Sequence, residues 1–257
     1  MSLRVLVSSG AVLGFAALAS AVAVPVQARS TPVASGQLVL VQAVPGQVYA
    51  VSIDGKDVRR DVAVDAVLGP YRLPPGPHRV QFADHRGNVR VASTVEVAPG
   101  SSSDVVVHRP AQVDGTPVVN LYRLPRTPIA PGKARVLVAH TATVAPADVR
   151  VDGQVVFTDI ANGEYATADV AAGPHTVALL PSGHTTQPIL GPLSLTLQPG
   201  TVTMVYAVGR PSNGSMNVIL HRAALTSNGA TAPATIDTGM VGLAARIRVS
   251  PFRPATR

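Results

Sequence analysis

Cysteine and tryptophan are absent from this 257-residue sequence, and glutamate occurs only twice. The absence of cysteine excludes disulfide bonds, thiolate metal ligands, a cysteine nucleophile and a lipidated cysteine, so stability must come from packed cores. The absence of tryptophan removes the side chain best suited to stacking on bases or sugars. The two glutamates are Glu96, in an alternating strand, and Glu164, beside a glycine turn. These positions favour solvated surface residues over a paired catalytic acid and base.

The basic residues do not form a nucleic-acid-binding pattern, although the formal net charge is +7. Residues 36–123 hold nine basic and eight acidic residues, and residues 132–222 hold five of each. Phosphate binding needs clustered basic side chains, so the sequence argues against a nucleic-acid partner. Only two of the 21 basic residues are Lys. Together with abundant Ala, Val, Pro and Gly, this bias is typical of a GC-rich genome and favours a bacterial source.

The first 28 residues have the pattern of a secretory signal peptide. Arg4 supplies a positive charge, an apolar run follows at 5–24, and Val26-Gln27-Ala28 places small residues around a cleavage site. We therefore expect cleavage after Ala28, a secreted, extracellular or cell-envelope location, and no transmembrane segment in the cleaved chain. The alternative is a retained anchor, because 20 residues at about 1.5 Å each could just span a bilayer.

Four sequence blocks recur in the same order at offsets between 97 and 100 residues. One block ends in the Asp-Gly of Asp54 and Asp152, and another contains the Gly-Pro-His of His78 and His175. Ordered blocks at a nearly constant spacing indicate a duplicated domain. The predicted organisation is a signal peptide at 1–28, a first repeat at 36–123, a Pro-rich linker at 124–131, a second repeat at 132–222 and a disordered basic tail at 223–257.

The sequence pattern of each repeat predicts an antiparallel β-sandwich. Short runs of Val, Ile, Leu, Thr and Tyr are broken every 8–12 residues by Gly, Pro or Asp-Gly, and no helical period is present. The fold class predicted is all-β, with two tandem immunoglobulin-like antiparallel β-sandwich domains. Asp54-Gly55 and Asp152-Gly153 predict tight hairpin turns. Calcium binding there is the weaker alternative, because one carboxylate per turn falls far short of the six to eight oxygens that calcium takes.

The repeated Gly-Pro-His is open to two interpretations. Gly and Pro between two strands predict a turn, with a backbone conformation at Gly that other residues avoid. His78 and His175 could instead be metal ligands, but no further His, Asp or Glu occurs at a fixed short spacing in both copies. Because a protein metal site needs at least three ligands, we interpret the motif as scaffold.

Residues 134–183 resemble a secreted bacterial family, the domain of unknown function DUF4397. The resemblance rests on Val-Leu-Val-Ala-His at 136–140, Ala-Pro-Ala-Asp-Val at 145–149, Val-Asp-Gly at 151–153 and Ala-Gly-Pro-His-Thr-Val at 172–177. It implies an immunoglobulin-like sandwich and supplies no catalytic residues. The first repeat is more divergent, with Gln42-Ala43 where the motif has its histidine, so any chemical role of His140 would be confined to the second repeat.

No catalytic, cofactor-binding or metal site is predicted. The sequence contains no Gly-x-Ser-x-Gly elbow, no His-Glu-x-x-His and no phosphate-cradling glycine motif. We expect a non-enzymatic structural or adhesive module without cofactors, whose partner is unknown and could be a cell-wall polymer or an envelope protein. The alternative is a module that binds cell-wall carbohydrate or a host surface. Tyr49, Tyr71 and Tyr165 lie in strands where packing explains them as well as sugar stacking does.

Two segments outside the predicted strands remain. Asn213-Gly214-Ser215 fits both an N-glycosylation acceptor and a hairpin turn, and we predict the turn. Residues 223–239 are small and polar, whereas residues 240–257 combine apolar side chains with four arginines. This end is expected either to lie on an anionic lipid or wall-polymer surface or to remain solvated without a partner.

Overall fold

The computed structural model describes residues 33–225 and 236–238, so the predicted signal peptide at 1–28 and most of the predicted tail lie outside the described residues. These residues form strands and one short 3₁₀ helix, with no helix long and apolar enough to cross a membrane. The first eight strands are β1 Gly36–Ala43, β2 Tyr49–Ile53, β3 Lys56–Val62, β4 Val67–Leu73, β5 Gly76–Ala83, β6 Val89–Val97, β7 Ser102–His108 and β8 Val118–Arg123. The others are β9 Lys133–His140, β10 Ala147–Val151, β11 Gln154–Ile160, β12 Tyr165–Ala171, β13 Gly173–Pro181, β14 Leu190–Leu197, β15 Thr201–Val208, β16 Asn217–Ala224 and β17 Ile236–Thr238, with the 3₁₀ helix at Pro211–Asn213 between β15 and β16.

The first repeat is a sandwich of two four-stranded sheets, which confirms the all-β prediction. One sheet has the order β4-β1-β7-β8 and the other β3-β2-β5-β6. All neighbouring strands are antiparallel except β1 and β7, which run parallel. In an immunoglobulin constant domain the first strand shares its sheet with the second, fifth and fourth strands. Here the first strand lies between the fourth and the seventh.

The second repeat has the same strand order. Its sheets are β12-β9-β15-β16, with β17 added beside β12, and β11-β10-β13-β14. The parallel pair is again the first strand with the seventh, β9 with β15. The end of this repeat differs from the prediction of a disordered tail from residue 223. Strand β16 continues to Ala224, and Ile236–Thr238 pair with β12.

Three hydrophobic cores hold these four sheets together. The first lies inside the first sandwich and includes Leu38, Leu40 and Phe82. The second lies inside the second sandwich and includes Val136, Val138 and Phe157. The third, which we call the junction core, contains side chains from both repeats. Its buried members are Val39, Val41, Ala43, Val106, Tyr122 and Leu124 from the first repeat and Leu137, Ala139, Val202, Met204, Tyr206, Val208 and Ile219 from the second.

The junction core explains why several strands read as continuous apolar runs. Alternate residues of a strand point to opposite faces of the sheet. In β1, Leu38 and Leu40 enter the first sandwich whereas Val39 and Val41 enter the junction core. A strand buried on both faces must be apolar at successive positions. The sheet β4-β1-β7-β8 therefore packs against the equivalent sheet β12-β9-β15-β16, and the molecule has four layers.

The segment between the repeats is packed rather than extended as a free tether. Ile129 and Ala130 are buried, and Leu124 belongs to the junction core. Arg135 in β9 forms a buried ion pair with Asp169, in which Nη2 lies 2.7 Å from Asp169 Oδ2. Nη1 of the same arginine donates to the carbonyl of Thr127, 2.8 Å away. The Pro-rich composition of the predicted linker at 124–131 gave no sign of these contacts.

Candidate functional site

The two repeated motifs of the first repeat contact each other. Asp54 and Gly55 both have positive φ values, 50° and 75°, which confirms the predicted hairpin turn. Asp54 Oδ2 lies 2.7 Å from Nδ1 of His78, while Oδ1 accepts the backbone N–H of Arg79. The other ring nitrogen of His78 lies 2.8 Å from the carbonyl of Pro74. Both ring nitrogens thus face acceptors, and the hydrogen bond to Asp54 raises the pKa of His78.

The second repeat reproduces this contact. His175 Nδ1 lies 2.9 Å from Asp152 Oδ2, and Nε2 lies 3.0 Å from the carbonyl of Ala171. Asp152 Oδ1 accepts the backbone N–H of Thr176. Burial opposes ionisation of Asp152, but the hydrogen bonds from Thr176 and His175 outweigh it and lower the pKa of this carboxyl. The turn at Asp152-Gly153 again has positive φ at both residues, 48° and 83°.

These contacts form two Asp–His clips that fix a hairpin turn to the start of a neighbouring strand. The aspartate and the histidine are separated by 24 residues in the first repeat and by 23 in the second, so the spacing within each clip is nearly the same. Sequence reasoning treated the two motifs separately and missed this pairing. Within residues 33–225, no group of three or more His, Asp or Glu side chains could hold a metal ion.

A buried polar cluster crosses the junction between the repeats. Asp104, in β7, is completely buried, and its Oδ2 accepts the hydroxyl of Tyr206 at 2.7 Å. The same oxygen lies 2.7 Å from Nδ1 of His221, in β16. Burial, together with the neighbouring Asp104 carboxylate, raises the pKa of Tyr206 well above its usual range. A buried carboxyl group of one repeat thus binds a buried hydroxyl and a partly exposed imidazole of the other.

A second set of cross-repeat hydrogen bonds surrounds Gly163, in the loop between β11 and β12. Its carbonyl accepts Asn120 Nδ2 and the hydroxyl of Tyr122, each at 3.2 Å. The adjacent Asn162 donates from Nδ2 to the carbonyls of Arg109 and Ala142, at 3.1 and 2.7 Å. Side chains of each repeat therefore donate hydrogen bonds to main-chain carbonyls of the other repeat at this end of the molecule.

His108 and His140 lie at the same end as the last residues of β7 and β9. Both are buried, and burial lowers the pKa of each imidazole. His108 contacts the carbonyl of Arg109 and the side chain of Asn120, whereas His140 lies 3.2 Å from the carbonyl of Ala145. His140, the histidine of the family-like motif in the second repeat, is therefore buried and not exposed to solvent.

A polar cleft opens at this end of the molecule, between the two repeats. Its volume is about 220 Å³. The cleft lies beyond the carboxyl ends of β1, β7, β9 and β15, which meet at one end of the molecule because each pair is parallel. Its lining includes Ala43, Arg109 and Asp114 from the first repeat and Thr141, Arg210 and Ser215 from the second.

The sequence also drew attention to three tyrosines, two glutamates and the Asn213-Gly214-Ser215 segment. Tyr49 is buried in the first sandwich, Tyr71 packs against the same core and Tyr165 packs against the junction core. Glu96 is exposed, whereas Glu164 accepts the backbone N–H of Ala161 and closes a turn. Asn213-Gly214-Ser215 confirms the predicted turn, since Gly214 has φ of 67° and Ser215 Oγ donates to Asn213 Oδ1.

Comparison with known proteins gives one family match. Residues 36–149 match the model of the domain of unknown function DUF4397. The match covers the whole first repeat together with β9 and part of β10 of the second, whereas the motifs that resemble the family lie at 134–183. It supports the family assignment for that span. No curated protein matches the chain.

Proposed function

We propose that this chain is a secreted or envelope-associated structural and adhesive module without enzymatic activity. The junction core is the observation that carries the proposal, because it joins two sandwiches into one body of four layers. A free tether would let two domains bind independently, whereas a shared apolar core keeps their outer loops at a fixed separation. A rigid body of this kind suits a protein that presents its outer loops at the cell envelope.

The titratable groups also support a non-enzymatic role. Asp54 and Asp152 hold turns through the Asp–His clips, and Asp169 pairs with buried Arg135. Asp148 accepts the backbone N–H groups of Asp159 and Gly183. These carboxylates are committed to backbone and side-chain partners within the scaffold. We further propose that the second repeat is another DUF4397 domain, since it has the same strand order, and that the protein is bacterial.

Export can be tested by expressing the full chain with a C-terminal tag in a bacterium that has a Sec pathway. We expect a product that begins after Ala28 and is found in the envelope or the medium. Edman sequencing and fractionation would check both. A matched control places an arginine in the apolar run, Leu13→Arg, which should retain the uncleaved chain in the cytoplasm. An uncleaved wild-type chain in the cytoplasm would contradict the proposal.

Carbohydrate binding is the second candidate function, and the polar cleft is the observation that favours it. The five tyrosines pack in or against the cores, so recognition would depend on hydrogen bonds in the cleft and not on aromatic stacking. A glycan array probed with the full chain distinguishes the two candidates. Saturable binding to one glycan class would support the second, whereas binding to none would favour a purely structural role.

A further inference from the structure

An Arg-Pro pair is duplicated at the end of the seventh strand of each repeat. Arg109-Pro110 directly follows β7, and Arg210-Pro211 follows β15 after one additional glycine, Gly209. The two pairs are 101 residues apart, close to the offset of the other repeated blocks. Duplication places the two arginines at equivalent positions of two similar sandwiches.

The junction between the repeats brings these two positions together. The same sheet of each sandwich faces the other, so the carboxyl ends of β7 and β15 lie on opposite sides of one cleft. Arg109 and Arg210 both line it. Neither repeat alone could form this arrangement, because each contributes one arginine.

The backbone of each arginine is held in place. The carbonyl of Arg109 lies 2.8 Å from Nδ1 of His108 and accepts Asn162 Nδ2 from the other repeat. The N–H of Arg210 donates to Ser215 Oγ at 3.0 Å, and that hydroxyl in turn donates to Asn213. Hydrogen bonds therefore hold in place the main chain that carries both arginines.

The charge of the two guanidinium groups is not neutralised by an ion pair. Within the described part of the chain, no carboxylate lies within 4.0 Å of Arg109 or Arg210 in a salt bridge. The NH1 of Arg109 donates to the carbonyl of Gly115 at 3.2 Å, which leaves its other donors available. Both side chains are partly exposed. The cleft lining holds these two arginines and one carboxylate, Asp114, and the resulting excess of positive charge favours an anion. Each guanidinium group presents a fork of donors that matches carboxylate and phosphate oxygens.

We propose that the cleft between the repeats binds an anionic sugar, a sugar acid or a sugar phosphate, through Arg109 and Arg210. The arginines hold the carboxylate or phosphate. The carboxylate of Asp114 offers acceptors and the side-chain NH2 of Asn213 offers donors for the hydroxyl groups of the ring, whereas the hydroxyl of Ser215 is used to hold Arg210 and Asn213. A cleft of about 220 Å³ is smaller than the roughly 300–1,000 Å³ of drug-sized sites, which suits one sugar ring.

This inference rests on the carbohydrate-binding candidate above and narrows it to charged sugars. It is tested by isothermal titration of the full chain with glucuronate, glucose 6-phosphate, glucose and inorganic phosphate at low salt. We expect glucuronate or glucose 6-phosphate to bind with one site per chain, more tightly than inorganic phosphate, and glucose not to bind. Arg109→Gln and Arg210→Gln should each weaken binding at least about tenfold, and the double variant should abolish it.

Two variants separate recognition from folding. Arg72→Gln removes an exposed arginine outside the cleft and should bind like the wild type. Asp114→Asn should lower the preference for the sugar phosphate over inorganic phosphate while phosphate binding persists. Melting temperatures of all variants, measured in parallel, identify any loss caused by misfolding.

Three results would overturn the proposal. One is no binding of either anionic sugar by a folded wild-type chain. Another is equal binding of glucose and glucuronate, which would leave general carbohydrate binding intact while removing the charge specificity. The third is binding of the anionic sugars that persists unchanged in the folded double variant.

Discussion

Asp104 Oδ2, in the first repeat, lies 2.7 Å from Nδ1 of His221 in the second, and the carboxylate is completely buried. The hydroxyl of Tyr206 donates to the same oxygen. A buried carboxyl group needs hydrogen-bond partners, and both partners of Asp104 Oδ2 come from the second repeat, so this cluster depends on the two repeats being in their observed register. Its removal is therefore a direct test of how far the repeats depend on each other.

Truncation of Asp104 should destabilise both repeats together. Asp104→Ala leaves the buried hydroxyl of Tyr206 without its acceptor and removes the partner of the partly exposed His221, and leaving a buried polar group unpaired costs about 1–3 kcal/mol. Urea unfolding followed by circular dichroism measures the change. Tyr206→Phe is the milder comparison and should lose about 1 kcal/mol, because only one hydrogen bond disappears. Equal stability of Asp104→Ala and wild type would show that the cluster does not stabilise the junction.

The Asp–His clip of the first repeat should make stability depend on pH. The folded pKa of His78 is raised, so its contribution is present below the usual histidine pKa and is lost as pH rises through the folded value. Hydrogen bonds from His78 and from the backbone of Arg79 lower the pKa of Asp54, so its contribution is present above the usual aspartate pKa and is lost as pH falls through the folded value.

The two contributions coincide between about pH 4 and pH 6.5, the ordinary pKa values of Asp and His. His78→Gln should therefore reduce the free energy of unfolding most within this window, and the difference from wild type should shrink above it. Asp54→Asn serves as the matched variant and should show the same profile. A His78→Gln effect that is constant from pH 4 to pH 9 would contradict an ionic clip.

Gly173 should resist replacement for reasons of backbone conformation alone. Its φ is 137°, a region that only glycine adopts without strain, and a Cβ added there would meet no atom within 4 Å. Gly173→Val and Gly173→Ala should consequently each cost about 1–3 kcal/mol, by strain and not by collision. Thermal melts of both variants measure this cost. A Gly173→Val variant as stable as the wild type would contradict this prediction, because the turn could then adopt another conformation without loss of stability.

The second repeat in isolation, residues 132–225, should fold but associate with itself. Its own sandwich core is complete, whereas removal of the first repeat exposes junction-core side chains such as Leu137, Met204 and Tyr206. Exposed contiguous apolar surface of this kind promotes association. Sedimentation at several concentrations should show dimers or larger species. Leu137→Asp in the same fragment should restore the monomer, and a monomeric wild-type fragment would show that the junction face is soluble by itself.

The sequence was sufficient for features that depend on neighbouring residues. Asp-Gly turns, Gly-Pro positions and the order of repeated blocks predicted an all-β duplicated chain, because turn chemistry is local. The junction core was missed, although the runs in β1, β7, β9 and β15 carried its signal. An apolar run indicates a strand buried on both faces, but it does not indicate which part of the molecule covers the second face.

The candidate site was less accessible to prediction from sequence. The Asp–His clips join motifs more than 20 residues apart, and the two cleft arginines are 101 residues apart. Contacts at such separations depend on the order of the strands in each sheet and on the packing of one sandwich against the other. Local sequence patterns do not reveal either of these features. The duplicated Arg-Pro was visible as a repeat, but only the junction gave the two copies a common location.

The junction also has a consequence for symmetry. Aligned on Pro99-Gly100 and Pro199-Gly200, Asp104 corresponds to Met204 and Val106 corresponds to Tyr206. In an assembly of two identical subunits, the same face would present an aspartate from each side, and two buried like charges would repel. Because both faces belong to one chain, each could acquire different residues. Covalent fusion thus permits a single aspartate on one face to meet a tyrosine and a histidine on the other. A symmetric homodimer would carry every such residue on both faces.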